Sequence, residues 1–213
     1  MRCVIEHMPH GSEVEKRDRA IVAFTLMTSA RVAAIVSIQL RDLDLADHRV
    51  DQDARHVNTK FRKSFSSYLL LLGDDIHKIL SDWLVFLRTE KLWGSDDPLF
   101  PATKVAIGKS GHFEAMGLNR KPWKTTAQIR EVFKKAFAAV GLPYYNPHSL
   151  RHTLAHFAME RCKSPEEMKA VSQNLAHKTA RCRSRGACPR RGQSQDSLCG
   201  GLALGCYPET FDG

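Results

Sequence analysis

Hydrophobic positions recur every three or four residues through most of the first 177 residues, which is the spacing of helices that bury one face. Ser12 and Glu15 form a capping-box pair at the start of a mostly apolar helix, which we expect to be buried and to end near Ser29. Further helices are predicted over about 32–40, 74–93 and 125–140, from about Pro147 onward, and over about 164–176. The last of these begins with Ser164 as its cap and with Pro165 in the first helical position.

Between Arg49 and Leu72 the pattern changes to runs that favour strands, and residues 65–72 form the clearest one. The basic turn Lys60-Phe61-Arg62-Lys63 precedes this strand, and we expect a sheet of two or three strands. Pro98 and Pro101 mark a loop, and the polar stretch rich in Gly and Lys that follows is assigned neither helix nor strand. The predicted fold is therefore mainly α with a small antiparallel β-sheet.

Length and composition limit the classes of partner. The chain has 213 residues, 43% of them hydrophobic, which suits one domain with an ordinary core. No apolar run approaches the roughly 20 residues that cross a bilayer, and the first residues lack the apolar core of a secretion signal. We therefore expect a cytoplasmic protein without membrane contact. A net charge of +9 and an isoelectric point near 9.4 favour a polyanionic partner such as nucleic acid.

Residues 178–213 differ in composition from residues 1–177. They hold six of the thirteen glycines, four of the six cysteines and few large apolar side chains. The cysteines form no C-x-x-C pair, so the sequence predicts neither a zinc ribbon nor a disulfide framework. We divide the chain into a domain of residues 1–177 and an atypical tail of residues 178–213, which we expect to be disordered or loosely packed. The abrupt rise in Arg, Gly and Cys leads to the hypothesis that the tail is translated from a shifted reading frame.

The helix predicted to begin at Pro147 has residues at its start that suit phosphate binding. Asn146 can cap a helix whose first residue is Pro147, and the amides of such a first turn favour an anion. His148 and Arg151 lie three apart on one face of this helix, although a surface helix with solvated side chains fits the same residues. Three histidines spaced four apart offer a metal site as a further alternative: His148, His152 and His156. No glutamate stands in an H-E-x-x-H arrangement, so we expect no metal and no cofactor.

Three short motifs occur in order along residues 12–177. The first is Thr28-Ser29-Ala30-Arg31, followed by Ile35, Ile38, Leu40, Asp42, Leu43 and Asp44. The others are His148-x-x-Arg151-His152-Thr153 and Leu175-Ala176-His177. Together they resemble the arginine boxes of the tyrosine recombinase or phage integrase family, and Lys60 lies in the strand turn where that family keeps its catalytic lysine. The resemblance implies an integrase-type catalytic domain, a fold that breaks and rejoins DNA, over residues 1–177.

The resemblance also implies a reaction and a set of site residues. In this family a tyrosine attacks a DNA phosphodiester and forms a phosphotyrosine, which a second strand resolves without a metal or nucleotide cofactor. Arg31 and Arg151 would clamp the non-bridging oxygens. Lys60 would protonate the leaving oxygen, and His148 and His177 would assist proton transfer. The implied partner is double-stranded DNA, bound by a homo-oligomer.

The sequence departs from the family at the nucleophile. The tyrosine is expected nine or ten residues after His177, where this chain has Gly186 and Ala187. The tyrosine farther along is Tyr207, and little would hold it at the site, so we expect that it is not the nucleophile. The prediction is site-specific recombination and integration by a truncated or inactive member. The alternatives are a minimal enzyme that obtains its tyrosine from Tyr207 or a neighbouring protomer, and a non-catalytic DNA-binding remnant.

Smaller departures concern the support of the site and the grip on DNA. The family's glycines are replaced by Ser29 and Ala176, and its acid after the first arginine by Ala34. We expect no counterpart of the family's separate N-terminal DNA-gripping domain, and therefore modest, salt-dependent affinity for DNA. Besides Lys60 and Arg151, the expected phosphate contacts outside the catalytic set are Arg62, Lys63, Lys121 and Lys124.

Overall fold

The structure is a computed structural model that describes residues 1–70, 72–108 and 111–175, and within these residues it contains seven α-helices and five strands. The helices are α1 (Arg2–Glu6), α2 (Glu13–Thr28), α3 (Val32–Ile35), α4 (Asp74–Val85), α5 (Ala127–Ala138), α6 (Pro147–Arg161) and α7 (Pro165–Asn174). The strands are β1 (Leu43–Asp44), β2 (Arg49–Gln52), β3 (Phe65–Tyr68), β4 (Ala102–Ile107) and β5 (Phe113–Asn119). Short 3-10 turns cover Leu40–Asp42 and Lys60–Arg62, and a π-helical turn, Phe86–Glu90, extends α4.

Helix α2 lies at the centre of the fold. The Ser12 hydroxyl accepts a hydrogen bond from the Glu15 amide at 3.2 Å, and the Glu15 carboxylate accepts one from the Ser12 amide at 2.8 Å, which confirms the predicted capping box. Every residue from Ala20 to Thr28 is buried, also as predicted. Phe24 packs edge-on against Phe100 with ring centroids 5.2 Å apart. Burial of such a ring contributes about 1.5 to 3 kcal/mol, so the C-terminal end of α2 is held firmly.

The predicted helix over residues 32–40 is wrong beyond Ile35, where α3 ends. The β-branched side chains of this segment lower its helix propensity. Backbone hydrogen bonds to a distant loop replace the helical bonds in this segment. The Leu40 amide donates to the Asp97 carbonyl at 3.0 Å, and Gln39 forms a β-bridge with Pro98. The chain therefore leaves α3 in an extended form and turns again at Leu40–Asp42.

Strands β1, β2 and β3 form one antiparallel sheet in that order, which confirms the predicted small sheet. Strand β3 ends at Tyr68 rather than at the predicted Leu72. The chain then leaves β2, because the Leu70 amide donates to the Met27 carbonyl, at 2.7 Å. The connection between β2 and β3, residues 53–64, carries Lys60 in its turn, as the sequence predicted.

The expectation of irregular structure after Pro101 is wrong, because β4 and β5 pair there as an antiparallel hairpin. Thr103, Val105 and Ile107 already alternate with period two, which is a strand signal. Val105, Ile107 and Phe113 are exposed, so this alternation does not mark a buried face. A strand whose apolar side chains are exposed, and whose neighbours in sequence include Gly and Lys, is hard to recognise from its hydrophobic pattern.

The remaining helices confirm the sequence pattern. Helix α4 begins directly after Gly73, and α5 lies within the predicted range of residues 125–140. The Asn146 carboxamide oxygen accepts from the Ser149 amide at 2.9 Å and caps α6. The Ser164 hydroxyl accepts from the Glu167 amide at 3.2 Å and caps α7. The starts of α6 and α7 are therefore set by bonds that close within one turn.

Two hydrophobic clusters hold the described helices. The main cluster joins α1, α2, α4 and α5 with the first sheet and reaches Leu150 of α6. A small cluster of Ala158, Val171 and Leu175 joins α6 to α7. Asn174 fastens the end of α7 to β3, because its amide nitrogen donates to the Tyr68 carbonyl at 3.0 Å and its oxygen accepts from the Tyr68 amide.

Several predictions concern residues that the structure does not describe. The boundary at residue 177 and the expected disorder of residues 178–213 lie outside the described residues, as does the last position of the predicted helix over 164–176. Within residues 1–70, 72–108 and 111–175, the structure contains no helix of the length and apolar character that a membrane span requires.

Candidate functional site

A cleft of about 710 Å³ opens between the start of α3 and the connection between β2 and β3. Four basic side chains line it together with small and polar residues: Arg31, Ala33, Ala54, Arg55, His56, Val57, Asn58, Thr59, Lys60 and Arg62. We call it the arginine cleft. It brings Arg31 and Lys60, which belong to separate elements of the fold, to one surface.

Arg31 is positioned by the sharp end of α2. Ser29 has a left-handed φ of 52°, and the Thr28 hydroxyl accepts a hydrogen bond from the Ala30 amide at 3.1 Å. Arg31 follows as the extended N-cap residue of α3 and is half-buried, which lowers the pKa of its guanidinium. A left-handed φ is costly for any residue with a Cβ, which explains why a glycine suits the place that Ser29 occupies.

Arg151 extends from α6 toward the end of α2 that precedes Arg31, and it does not line the arginine cleft. Its side chain is only 7% exposed, and its two terminal nitrogens donate to the carbonyl oxygens of Ser29 and Leu175. Burial, and secondly repulsion from the neighbouring charge of Arg31, lower the pKa of its guanidinium to about 10. Arg151 therefore stays charged at neutral pH and joins the ends of α2 and α7 beside Arg31.

No acidic side chain among the described residues neutralises these two charges. Neither Arg31 nor Arg151 forms an ion pair in residues 1–70, 72–108 or 111–175, and Arg31 forms no hydrogen bond there. A buried charge is costly unless it is paired, and planar guanidinium groups match the oxygens of a phosphate. The arrangement can therefore bind an oxyanion and stabilise negative charge that develops on it.

Lys60 stands at the rim of the arginine cleft on a strained turn. Phe61 and Arg62, which follow it, have left-handed φ values of 62° and 50°. The Lys60 amine is exposed and lies 5.0 Å from the centroid of the Phe61 ring. Strained backbone of this kind persists only where surrounding structure holds it, and an exposed amine at a cleft rim can reach a bound oxygen and donate a proton to it.

Sequence reasoning missed Arg55 and His56, although both line the arginine cleft. The His56 Nε2 atom lies 2.7 Å from a carboxylate oxygen of the buried Asp42, whose other oxygen accepts from the Gln39 amide at 2.8 Å. This contact fastens one wall of the cleft to the segment that follows α3. Asp42 belongs to the first motif, but nothing in the local pattern identifies His56 as its partner.

His148 lies in the first turn of α6, as predicted, yet its surroundings differ from those of Arg151. The His148 ring is exposed, whereas Arg151 points into the protein. The Nε2 atoms of His148 and His152 are 3.1 Å apart, and the ring centroids are 4.6 Å apart. The described neighbour of the His148 ring is thus a second imidazole.

The other predicted site residues are not brought into the arginine cleft. Lys63, Lys121 and Lys124 are exposed, and none of them lines it. His177 and Tyr207 lie outside the described residues. The structure therefore joins Arg31, Lys60 and Arg62 in one cleft and places Arg151 beside Arg31.

A larger cavity of about 920 Å³ lies between the start of α2, β5 and α5 and shares no lining residue with the arginine cleft. Its charged lining mixes both signs: Glu13, Glu15, Asp18, Lys91, Lys104 and Lys135. Because acids balance the bases, this cavity does not favour an anion. In the part of the chain that the structure describes, no group of three or more His, Cys, Asp or Glu side chains is placed to hold a metal ion.

Comparison with known proteins agrees with this geometry. The model of the phage integrase family matches residues 4–182. Tyrosine recombinase XerC of Corynebacterium glutamicum is 27% identical over 161 residues, which cover 76% of this chain but 43% of that relative. The crystal structure of XerA recombinase aligns with 84% of this chain and 52% of its own, at a TM-score of 0.58 and 20% identity. XerH site-specific recombinase bound to palindromic difH substrate aligns with 83% of this chain and 43% of its own, at a TM-score of 0.57 and 17% identity.

The chain thus spans about half, or less, of the length of these relatives. The family match nevertheless extends over most of this chain, and the mainly α fold with small antiparallel sheets is that of the recombinase neighbours. The predicted resemblance and the predicted fold class are both confirmed. The chain belongs to the phage integrase family and has the fold of a tyrosine recombinase catalytic domain.

Proposed function

We propose that this chain binds double-stranded DNA by placing one backbone phosphate in the arginine cleft, as a member of the site-specific recombinases. The observation that carries the proposal is that the buried Arg151 bonds to the Ser29 carbonyl, two residues before Arg31, and is repelled by the charge of Arg31, while neither arginine has an acidic partner among the described residues. Such charges are costly in a folded chain unless an anion meets them. A DNA phosphodiester supplies that anion, and the net charge of +9 favours its approach.

Each residue of the predicted catalytic set then has a role around that phosphate. Arg31 and Arg151 hold the non-bridging oxygens through charge-assisted hydrogen bonds, which strengthen as negative charge develops on them. Lys60 acts from the cleft rim as general acid for the leaving 5′ oxygen. His148 and His177 assist proton transfer. The shared cleft of Arg31 and Lys60 supports this assignment.

We further propose that this chain is an inactive member that does not cut DNA by itself. Gly186 and Ala187 stand where the nucleophile is expected, and neither side chain can attack phosphorus. The three described tyrosines are exposed and do not line the arginine cleft: Tyr68, Tyr144 and Tyr145. Tyr207 stands well past the expected position in the sequence, and a nucleophile must be held close to its target to react. The function proposed is therefore phosphate-directed DNA binding without strand cleavage.

Basic residues outside the catalytic set extend the proposed DNA surface. Arg62, Lys63, Lys121 and Lys124 are exposed and would neutralise further phosphates, so binding would weaken steeply with salt. The XerH neighbour is bound to a palindromic substrate, and a palindromic site suits protomers related by twofold symmetry. We propose that this chain, too, assembles as a homo-oligomer on DNA.

The DNA-binding part of the proposal is tested by measuring duplex affinity as a function of salt for the wild type, Arg31→Gln and Arg120→Gln. Arg120 is a matched control, because it is exposed and already bonded to Asp97 at 2.7 Å. We expect Arg31→Gln to weaken binding and to reduce the slope of log affinity against log salt by about one, and Arg120→Gln to change neither. Equal affinities and slopes for all three proteins would exclude the arginine cleft as the phosphate site.

The cleavage part is tested with a pool of nicked duplexes of randomised sequence, which trap a covalent protein–DNA adduct. We expect no adduct from the wild type under conditions in which it binds DNA. An adduct that disappears in Tyr207→Phe would identify an active recombinase with a displaced nucleophile and would overturn the proposed inactivity, while leaving the arginine cleft as its phosphate site.

A further inference from the structure

His148 and His152 make a contact that phosphate binding does not require. The two residues lie one helical turn apart on α6, and both side chains are exposed. Their Nε2 atoms are 3.1 Å apart, and the ring planes are nearly perpendicular, at 88°. At this distance one ring donates its N–H to the lone pair of the other, so a single proton occupies the space between the two nitrogens.

The separation of these nitrogens suits a metal ion. Zinc–nitrogen bonds of about 2.05 Å to two atoms 3.1 Å apart enclose an angle of about 100°, close to that of tetrahedral coordination. Positions i and i+4 of a helix face the same side, which is how paired histidines bind zinc in helical H-E-x-x-H sites. Because both rings are exposed, a modest rotation directs their lone pairs to one point.

We propose that His148 and His152 bind one divalent transition-metal ion, Zn²⁺ or Cu²⁺, through their Nε2 atoms. The ion takes the place of the shared proton: the ring that carried its N–H on Nε2 shifts through solvent to the Nδ1–H tautomer, so both imidazoles remain neutral and no net proton is released. Water fills the remaining coordination positions, since no third His, Cys, Asp or Glu among the described residues completes the site. Two imidazole ligands favour Cu²⁺ and Zn²⁺ over Mg²⁺ and Ca²⁺, which prefer oxygen ligands.

The Nε2 atom of His148 would then serve both as a metal ligand and as the group proposed to act at a bound phosphate. An ion on Nε2 withholds that nitrogen from a bound phosphate, a consequence that rests on the proposed function. The metal site itself does not depend on that role, because it requires only the two rings and the helix that spaces them. A measurement made without DNA therefore separates the two proposals.

Isothermal titration of Zn²⁺ into the full chain tests the site, with the wild type compared with His148→Gln, His152→Gln and His156→Gln. His156 is the matched control, because it is exposed on the same helix one turn beyond His152. Loss of a direct ligand costs no less than loss of an outer-shell partner, so we expect zinc affinity at this site to fall at least tenfold in the first two variants. His156→Gln retains it, and any ion bound elsewhere on the chain remains in all four proteins. Unchanged far-ultraviolet circular dichroism shows that α6 is intact in each variant.

Electron paramagnetic resonance of bound Cu²⁺ gives an independent count of ligands. We expect coupling to two imidazole nitrogens in the wild type and in His156→Gln, and to one in His148→Gln or His152→Gln. Zinc affinity that is equal in the wild type and His148→Gln would overturn the proposal. If His156→Gln lost as much zinc affinity as His148→Gln and His152→Gln, the assignment of the site to His148 and His152 alone would be wrong.

Discussion

The buried arginine of α2, Arg17, differs from Arg31 and Arg151 in how its charge is met. Arg17 is 1% exposed, pairs with Asp18 at 2.6 Å, and donates at 2.9 Å to both the Pro101 carbonyl and the Thr103 hydroxyl. Its guanidinium also stacks on the Trp123 ring, 4.4 Å from the centroid. Among the described residues, Arg151 donates to two backbone carbonyls, and Arg31 has no hydrogen-bond partner.

The pKa shifts express the same difference. Burial lowers the pKa of Arg17, and the neighbouring Asp18 opposes that shift. Burial also lowers the pKa of Arg151, but there the neighbouring charge of Arg31 adds to the shift. Arg17 is therefore a structural arginine whose charge the fold satisfies. Arg31 and Arg151 hold an unfavourable electrostatic energy that a bound anion releases.

The largest effect is expected for Arg17→Ala, which should lower the free energy of unfolding by about 3 to 5 kcal/mol, as is typical when one partner of a buried ion pair is removed. The Asp18 carboxylate would keep its partly buried position without its hydrogen-bonded cation, and only the weaker attraction of Lys135 would remain. Urea unfolding at neutral pH measures the loss, and Arg17→Ala/Asp18→Ala should be less destabilised than the sum of the single variants. A loss below about 1 kcal/mol would remove the distinction between Arg17 and the pair Arg31 and Arg151.

A smaller effect of opposite sign is expected for Ser29→Gly, which should raise the free energy of unfolding by about 1 kcal/mol. The change relieves the φ of 52° and removes a buried hydroxyl that has no hydrogen-bond partner among the described residues. The Ser29 carbonyl that holds Arg151 remains, so DNA binding should not change. Thermal unfolding measures the gain.

Leu92→Gly is the control for Ser29→Gly, because Leu92 has the same φ of 52° but an exposed side chain without a hydroxyl. It should give a smaller gain, since it relieves backbone strain alone. A loss of stability in Ser29→Gly would show that the Ser29 side chain supports the position of Arg31 in a way that the backbone does not.

The smallest effect on stability is expected for Arg31→Gln. Arg151 has a folded-state pKa of about 10, below that of an exposed arginine, so its charge weakens the folded state at neutral pH. That penalty is present below about pH 10 and diminishes as the pH rises further. The Arg31→Gln change removes one cause of this penalty. The free energy of unfolding should therefore stay constant or rise by up to about 0.5 kcal/mol, and the rise should be smaller at high salt. A loss above about 1 kcal/mol in urea unfolding would make Arg31 structural, like Arg17.

Sequence patterns whose interactions close within one helical turn predicted the fold correctly. The caps at Ser12, Asn146 and Ser164 set three helix starts because their bonds close locally. The helix prediction failed over residues 36–40, and the strands within residues 102–119 were not predicted. In the first case a bond from Leu40 to a distant loop decides the backbone, and in the second a hairpin exposes its apolar side chains.

The candidate site was predictable in part for a different reason. Arg31, Lys60 and Arg151 were identified through motifs that resemble a family, and local periodicity alone does not distinguish them from solvated residues. Two supporting residues were missed because their partners are remote in sequence: His56, which contacts Asp42, and Asn174, which pairs with the backbone of Tyr68. Contacts of this kind follow from tertiary packing, which no repeating pattern along the chain encodes.

The two carbonyls that hold Arg151 belong to segments of unequal stability. Helix α2 lies in the main cluster, whereas α7 is attached through a small cluster and Asn174. A segment with few buried apolar contacts opens at a lower free energy than the core, and each opening of α7 releases Arg151 from the Leu175 carbonyl. The clamp is complete only in the population of molecules with α7 docked. An anion that binds it therefore draws α7 onto the domain, and amide hydrogen exchange in α7 should slow when the cleft is occupied.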